Sequence, residues 1–365
     1  MASRTIFMTG FPGFLSRHLV ARLVDEHPDD TFVFLIQEHL RERAQQALQA
    51  QEKARPGFAE KATLVAGDIT AGPDLGLSDE DLARARRADR VWHLAAIYNL
   101  AIDLPTAYAV NVTGTANMLD FCATCNDLDR LAYVSTCYVS GDRTGRIMES
   151  ELDMGQGFKN HYESTKCWAE IDVRRKMDRI PTVILRPSVV VGDSRTGETD
   201  KYDGPYYMIR ALLRLPRWLP IPYIGPGKAA VNVVPVDFLA DAMARLADME
   251  EAVGLTFHLA DPRPHPSREV LERLAELTGH RMLKMTVPAG PVERMSALKV
   301  VEQALQMPAE IVEYMNHEVV YDTSNTERLL ADTNIRCPDM YSYLPILVDY
   351  VRRHPNKSFL DNRRY

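Results

Sequence analysis

Tyr162 and Lys166 stand four residues apart in Tyr162-Glu163-Ser164-Thr165-Lys166. On a helix that spacing puts a phenol and an ammonium on one face, a turn apart. Lys166 can then stabilise the phenolate and lower a pKa that starts near ~10, which makes Tyr162 an acid usable near neutrality. Upstream, Arg130 to Ser135 reads as a strand whose carboxyl end delivers Ser135 and Thr136. A hydroxyl there can hydrogen-bond a substrate oxygen and stabilise developing negative charge. The third chemical element is the turn Thr9-Gly10-Phe11-Pro12-Gly13-Phe14-Leu15-Ser16, directly after a first apolar strand. Gly10 permits the tight turn. Gly13 lets backbone approach a pyrophosphate at the positive end of a helix that carries Leu15, Leu19 and Leu23 on one face. Ser16 takes the third small position.

The second strand ends at Gln37, where an NAD site would place an acid for the ribose 2′-hydroxyl. That acid is missing. Glu38 follows, while Arg17, Arg41 and Arg43 can face a 2′-phosphate, so NADP(H) is favoured over NAD(H). The bland alternative is that all three arginines are solvated. Asp68 and Ile69, after the third strand, are placed to meet the adenine edge, although Asp68 is as plainly a turn former. Five cysteines make a sparse set whose only close pair is Cys122 and Cys125, so no metal site is expected and helix packing in a reducing compartment is the simpler role.

These groups need a scaffold. Thr5 to Met8, Thr31 to Gln37, Ala62 to Val65, Arg90 to Leu94, Arg130 to Ser135 and Pro181 to Leu185 read as strands. Helices over about Gly13 to Glu26, Glu38 to Lys53, Pro105 to Cys125 and His161 to Met177 alternate with them. Strands without polar alternation are what a parallel sheet covered on both faces requires. The expected fold is α/β, a doubly wound (Rossmann) parallel sheet with a smaller, mostly helical C-terminal substrate lobe. Residues 1–190, rejoined by 228–260, would form the cofactor-binding domain, and residues 191–227 and 261–365 the lobe. Val231 to Val236 reads as a further strand and Asp237 to Asp248 as its helix. Ser267 to Thr278, Val292 to Leu305, Thr323 to Asp332 and Tyr341 to Arg353 read as helices of the later chain.

With 43 basic against 50 acidic residues the net charge is −7, which speaks against a general nucleic-acid binder. No apolar run approaches the ~18 residues that span a bilayer. The opening residues lack a signal-peptide pattern, so a cytoplasmic protein is expected.

Six segments together resemble the extended short-chain dehydrogenase/reductase family, in order and spacing over about residues 4 to 245. They are the glycine turn, His93-Leu94-Ala95-Ala96, Asn111-Val112-Thr113-Gly114-Thr115, Val134-Ser135-Thr136, Tyr162 to Lys166, and Arg186-Pro187-Ser188-Val189-Val190-Val191-Gly192. The resemblance implies Thr136 as the catalytic hydroxyl, five residues before Gly141, and Tyr162 as proton donor or acceptor. It implies Lys166 on the nicotinamide ribose and Asn111 supporting a relay water through its local helix. Pro187, Ser188 and Val189 would lie by the nicotinamide, and Phe11, Pro12, Phe14, Leu15, Leu94, Ala95 and Ala96 would complete the cofactor contacts.

Two departures separate the chain from nucleotide-sugar members of that family. Val189 stands where those enzymes tend to carry Asn, and Val231 where they place Arg for the diphosphate. The chain looks instead like the branch containing fatty acyl reductases and thioester reductase domains. That branch implies NADPH-dependent reduction of an acyl thioester, on CoA or an acyl carrier, or of the derived aldehyde. A reversible dehydrogenase of a hydrophobic secondary alcohol is the alternative, and a nucleotide-sugar epimerase a weaker one. Met208, Ile209, Leu212, Leu213, Leu215, Trp218, Leu219, Ile221, Tyr223 and Ile224 either line a cleft for a hydrophobic substrate or form the lobe core. Arg210, Arg214 and Arg217 among them leave membrane-surface or carrier contact open. A homodimer through the helices near 105–125 and 161–176 is a further implication.

Overall fold

The structure, a computed structural model, describes residues 3–98, 102–224, 226–287 and 317–357. Strands β1 (Thr5–Thr9), β2 (Thr31–Ile36), β3 (Ala62–Ala66), β4 (Arg90–His93), β5 (Arg130–Val134), β7 (Thr182–Pro187) and β11 (Thr256–Leu259) form one parallel sheet in the order β11-β7-β5-β4-β1-β2-β3. The chain builds outward from β1 to β3, then crosses back to β4 on the other side of β1. That reversal opens a crevice at the carboxyl ends of β1 and β4, the place where such sheets bind ligands.

Alternate residues of the strands serve opposite faces. Ile6, Met8, Phe34 and Ile36 pack under α1 (Phe14–Glu26), α2 (Arg41–Ala54) and α8 (Val236–Asp248). Phe7, Val33, Leu35, Leu131 and Ile184 pack under α3 (Asp79–Ala85), α5 (Gly114–Cys122) and α6 (His161–Lys176). Both faces are therefore covered, as the unbroken apolar strands require. A separate core holds the lobe, where α7 (Pro205–Arg214), α9 (Ser267–Thr278) and α11 (Met340–Arg353) pack around Val191, Tyr202 and Val233.

Small pairings lie outside the main sheet: β8 (Val189–Val191) with β10 (Val233–Pro235), β9 (Ile221–Ile224) with β12 (Met282–Val287), and β6 (Gly145–Ile147) with β13 (Val319–Tyr321). Helix α10 (Ser324–Leu330) follows β13. The strand expected over Val231 to Val236 is shorter because Pro235, in extended backbone, already precedes the first turn of α8. The helix expected over Pro105 to Cys125 is interrupted: α4 (Leu104–Ala107) runs into a π turn at Tyr108–Thr113 before α5. The helix expected at Val292 to Leu305 lies outside the described residues.

Helix α6 is set by its ends and by one carboxylate. The Asn160 side chain accepts the Glu163 N–H at 3.0 Å as N-cap, and Arg174, Arg175 and Lys176 crowd the last turn, where cations complement the helix dipole. Glu170, fully buried, accepts from Ser135 Oγ at 2.6 Å, from Arg186 Nε at 2.9 Å and Nη2 at 2.6 Å, and from Arg174 Nε at 3.0 Å. The helix is thereby tied to β5 and β7 at once. Glu170→Ala leaves the buried Arg186 guanidinium without its counter-charge, and the expected loss is about 3–5 kcal/mol of unfolding free energy. Urea unfolding measures it, and a loss below about 1 kcal/mol would contradict this role.

Candidate functional site

Tyr162 and Lys166 occupy the first turns of α6 and face β5, as their spacing predicts. Lys166 is 2% exposed. Its Nζ donates to Val134 O at 2.9 Å and to the Tyr133 hydroxyl at 3.1 Å. Burial lowers the ammonium to about 8, opposed by the charge of Glu170. Tyr162 hydrogen-bonds Thr136, yet burial dominates and pushes its phenol up to about 12. The expected lowering of the Tyr162 pKa by Lys166 is therefore corrected. The ammonium is held by Tyr133 and Val134, and desolvation outweighs any charge the phenol feels.

Thr136 leaves the sheet at the carboxyl end of β5. Its Oγ1 accepts from Tyr138 N at 3.2 Å, and its hydroxyl lies 3.5 Å from Pro187 O. Tyr162 and Thr136 thus present two hydroxyls side by side at the crevice. Ser135, delivered by the same strand, turns the other way to Glu170. Asn111 sits in the π turn, a feature common at functional sites because it redirects side chains. Its amide accepts the Ile97 N–H at 2.9 Å and donates to Ile97 O and Thr165 Oγ1, both at 3.0 Å. Asn111 therefore ties the segment after β4 to α6, one residue from Lys166.

The glycine turn lies where the fold opens. Gly10 has φ +84°, and a Cβ there would meet Ala95 N and Leu94 C at 2.9 Å, so the turn and the segment Leu94 to Ala96 close on one another. A Cβ on Gly13 would meet Gly10 O at 2.8 Å. Helix α1 begins at Phe14 with no side-chain cap and no acid in its first turn, which leaves its N–H groups and positive dipole end for an anion. Ser188 Oγ, buried beside Pro187 and Val189, has no partner among the described residues. An uncapped helix end at one side of the crevice and an orphaned hydroxyl at the other fit a dinucleotide. Leu15 stays half-buried near the turn, and Pro12 is buried in it. Phe11 stacks on Phe34 at 4.2 Å inside the core, so only its backbone is available to a ligand.

The adenosine side differs from expectation in detail. Gln37 Nε2 donates to Asp68 at 2.6 Å, and Asp68 also takes the Thr70 N–H and hydroxyl, both at 2.8 Å. Burial would raise this carboxyl, but those hydrogen bonds hold it below its usual range. Ile69 is buried against Gly114 and belongs to the core rather than the cleft. The three arginines each meet a carboxylate, while Arg41 and Arg43 also stay in contact with solvent. Arg17 reaches both oxygens of Asp200 at 2.6 Å, Arg43 lies 3.6 Å from the same carboxylate, and Arg41 is bound by Glu38 at 2.7 Å and 2.8 Å. Asp200 comes from the lobe side of the chain, so nothing local could have revealed it. Lys201 beside it lies over the Tyr98 ring at 3.7 Å, so the segment around 200 touches both walls of the crevice.

The apolar run of the lobe resolves mostly as packing. Ile209, Leu212 and Ile221 are core, and Met208, Leu213 and Leu215 pack against them. Tyr223 is capped by Arg268 at 3.8 Å and bonded to Glu272. Trp218 is the exception at 80% exposed. Arg214 and Arg217 flank it and are exposed, whereas Arg210 is buried. The five cysteines are free. Among the described residues no helix is long and apolar enough to cross a membrane.

Known proteins share both the sequence pattern and the fold. The family described as male sterility protein matches residues 8–243. The nonribosomal peptide synthetase FrzA from a Cladobotryum species is 28% identical over 370 residues, covering 89% of this chain and 34% of its own length. The alcohol-forming fatty acyl-CoA reductase of Simmondsia chinensis is 24% identical over 362 residues, covering 76% of this chain and 70% of its own. The crystal structure of the terminal R domain from the myxalamid PKS-NRPS pathway shares the fold with a TM-score of 0.83 at 24% identity, covering 98% of this chain and 93% of that one. The chain spans about a third of the synthetase and most of the plant reductase.

Proposed function

The chain belongs to the male sterility protein family, of the extended short-chain type of NAD(P)-dependent reductases, and on that premise we propose that it reduces the carbonyl of a hydrophobic acyl thioester with NADPH. The observation that carries the reading is the pair of adjacent hydroxyls, Tyr162 and Thr136, at the carboxyl edge of the sheet with the buried Lys166 ammonium behind them. The fatty acyl-CoA named for the Simmondsia relative is a thioester, which supports the substrate class.

The nicotinamide cofactor, when bound, supplies the hydride. Residues Gly10 to Leu15 and the open end of α1 would hold its pyrophosphate, Lys166 its ribose, and Ser188 its carboxamide side. Thr136 and Tyr162 hydrogen-bond the carbonyl oxygen as negative charge develops there, and the Tyr162 hydroxyl gives that oxygen its proton. The product of that addition is a hemithioacetal. Its carbon–sulfur bond then breaks, the hydroxyl proton passes to the sulfur, and aldehyde and free thiol leave. One thioester, one hydride and one proton are consumed for each aldehyde and thiol.

The electrostatics around the adenosine end support NADPH. Arg17 and Arg43 converge on one anion, Asp200, and a 2′-phosphate is a competing anion of higher charge. The exposed Leu104, Tyr108 and Trp168 on α4, the π turn and α6 support a homodimer through those helices. An acyl chain on CoA and one on a carrier domain present the same thioester, and a cytoplasmic setting suits both.

Tyr162→Phe keeps the ring and removes the proton, so NADPH oxidation with an acyl-CoA should fall at least about a hundredfold while the cofactor still binds. Turnover like the wild type would overturn the assignment. The required form of Lys166 is the ammonium, which is lost as pH rises through about 8. The kcat/KM profile should accordingly fall on its alkaline side near that pH, and a profile flat to pH 10 would contradict the role. Arg17→Ala should weaken NADPH by about tenfold more than NADH in fluorescence titrations. Equal losses for the two cofactors would remove the basis for NADPH.

A further inference from the structure

A buried ammonium must place its N–H groups on acceptors. Two of those on Lys166 go to Val134 O and to the Tyr133 hydroxyl, which leaves one for the crevice. Tyr133 is itself fully buried, so its hydroxyl cannot turn to water. Thr115 is the next polar side chain within reach of that hydroxyl. Thr115 Oγ1 lies 3.1 Å from His93 Nε2, and His93 Nδ1 lies 2.8 Å from Thr9 Oγ1, which also accepts the Ala95 N–H at 3.1 Å. Every side chain in this series is buried. The series runs from α6 through β5, α5 and β4 to β1, and ends at the backbone that closes on Gly10.

One end of the series is fixed by chemistry. An ammonium only donates, so the Tyr133 oxygen accepts from Lys166. Burial, and next the charge of Lys166, hold His93 down to about 3, so the ring stays neutral and gives one donor and one acceptor to Thr115 and Thr9. The Tyr133 hydroxyl thus turns a lone pair toward Lys166.

We propose that Tyr133 is a positioning residue for the Tyr162–Lys166 pair, its hydroxyl oriented by Thr115, His93 and Thr9 so that it fixes the Lys166 ammonium in place and in its charged form. The inference rests on the assignment of Tyr162 and Lys166 made above. It also links the acid to the strand that ends in the glycine turn, because Thr9 serves both. The titratable groups that act on Lys166 are Glu170 from its own helix, Tyr133 from β5 and His93 from β4, with Tyr162 one turn earlier on the same helix. Glu170 favours the ammonium and is itself neutralised by Arg186, while His93 carries no charge in the working range.

Tyr133→Phe keeps the ring that Lys166 overlies at 4.6 Å and removes only the acceptor. An acceptor lost from an ammonium disfavours the charged form, so the alkaline limb of the kcat/KM profile should move down by about one pH unit. At neutral pH kcat should fall by about tenfold with the KM for acyl-CoA nearly unchanged. Thr115→Val, which breaks the series one step further away, should shift the limb in the same direction by less, and Thr115→Ser should restore the wild-type profile. Thermal melting and NADPH binding of each variant confirm that the fold and cofactor site persist. An unmoved limb in both Tyr133→Phe and Thr115→Val overturns the proposal, whether or not kcat falls. If Tyr162→Phe is inactive while Tyr133→Phe behaves as wild type, the positioning role alone fails. If Tyr162→Phe is active, the underlying assignment fails first.

Discussion

The carboxylate of Glu170 is the constraint from which the site takes its shape. It is buried with no access to water and carries a full charge, so it requires several donors, and it draws them from three directions: Ser135 from β5, Arg186 from β7 and Arg174 from its own helix. Opposed to the cost of burial are those charges and hydrogen bonds, which hold it ionised. Helix α6 can satisfy it only in one register against the sheet. Tyr162, Lys166 and Glu170 follow at four-residue intervals along one stripe, so a helix pinned at its third member has its first two set over the carboxyl ends of the strands. The same carboxylate supports the charge of Lys166, which burial alone would weaken.

The crevice itself comes from topology. Because β4 lies beside β1 while β2 and β3 lie on the other side, the loops after β1 and β4 diverge and leave room between them. Gly10 is glycine because the turn needs a positive φ and because Leu94 and Ala95 press against it. The segment around Asp200 and Lys201 then reaches back to Arg17 on α1 and to Tyr98 after β4.

Much of this is legible in the amino-acid sequence. Runs such as Thr31–Ile36 and Thr182–Pro187 declare buried parallel strands because no residue in them needs water. The glycine turn after β1 declares a dinucleotide site because few other uses need that backbone. The Tyr162 to Lys166 spacing declares a shared helix face. What stays hidden depends on distant residues. The pairing of Arg17 with Asp200 spans 183 positions, and Tyr133 reads as one more strand residue until Lys166 is seen to meet its hydroxyl. The leucines of 208–215 suit a cleft or a core equally well, and only the packing of α9 and α11 against them decides for the core. The π turn at Asn111 follows no periodicity that a sequence shows. Spacing also points the Tyr162 shift in the wrong direction, because it speaks of neighbours and says nothing of how much water is lost.

On the function proposed above, this arrangement of hydroxyls and ammonium delivers a proton to a thioester carbonyl during reduction with NADPH. The most direct measurement follows nicotinamide absorbance and free thiol together in one reaction of the wild-type protein with a long-chain acyl-CoA. Free thiol should appear in step with NADPH oxidation at the first reduction, one for one. NADPH consumed with ketones or aldehydes but no thiol released from any acyl thioester would contradict it.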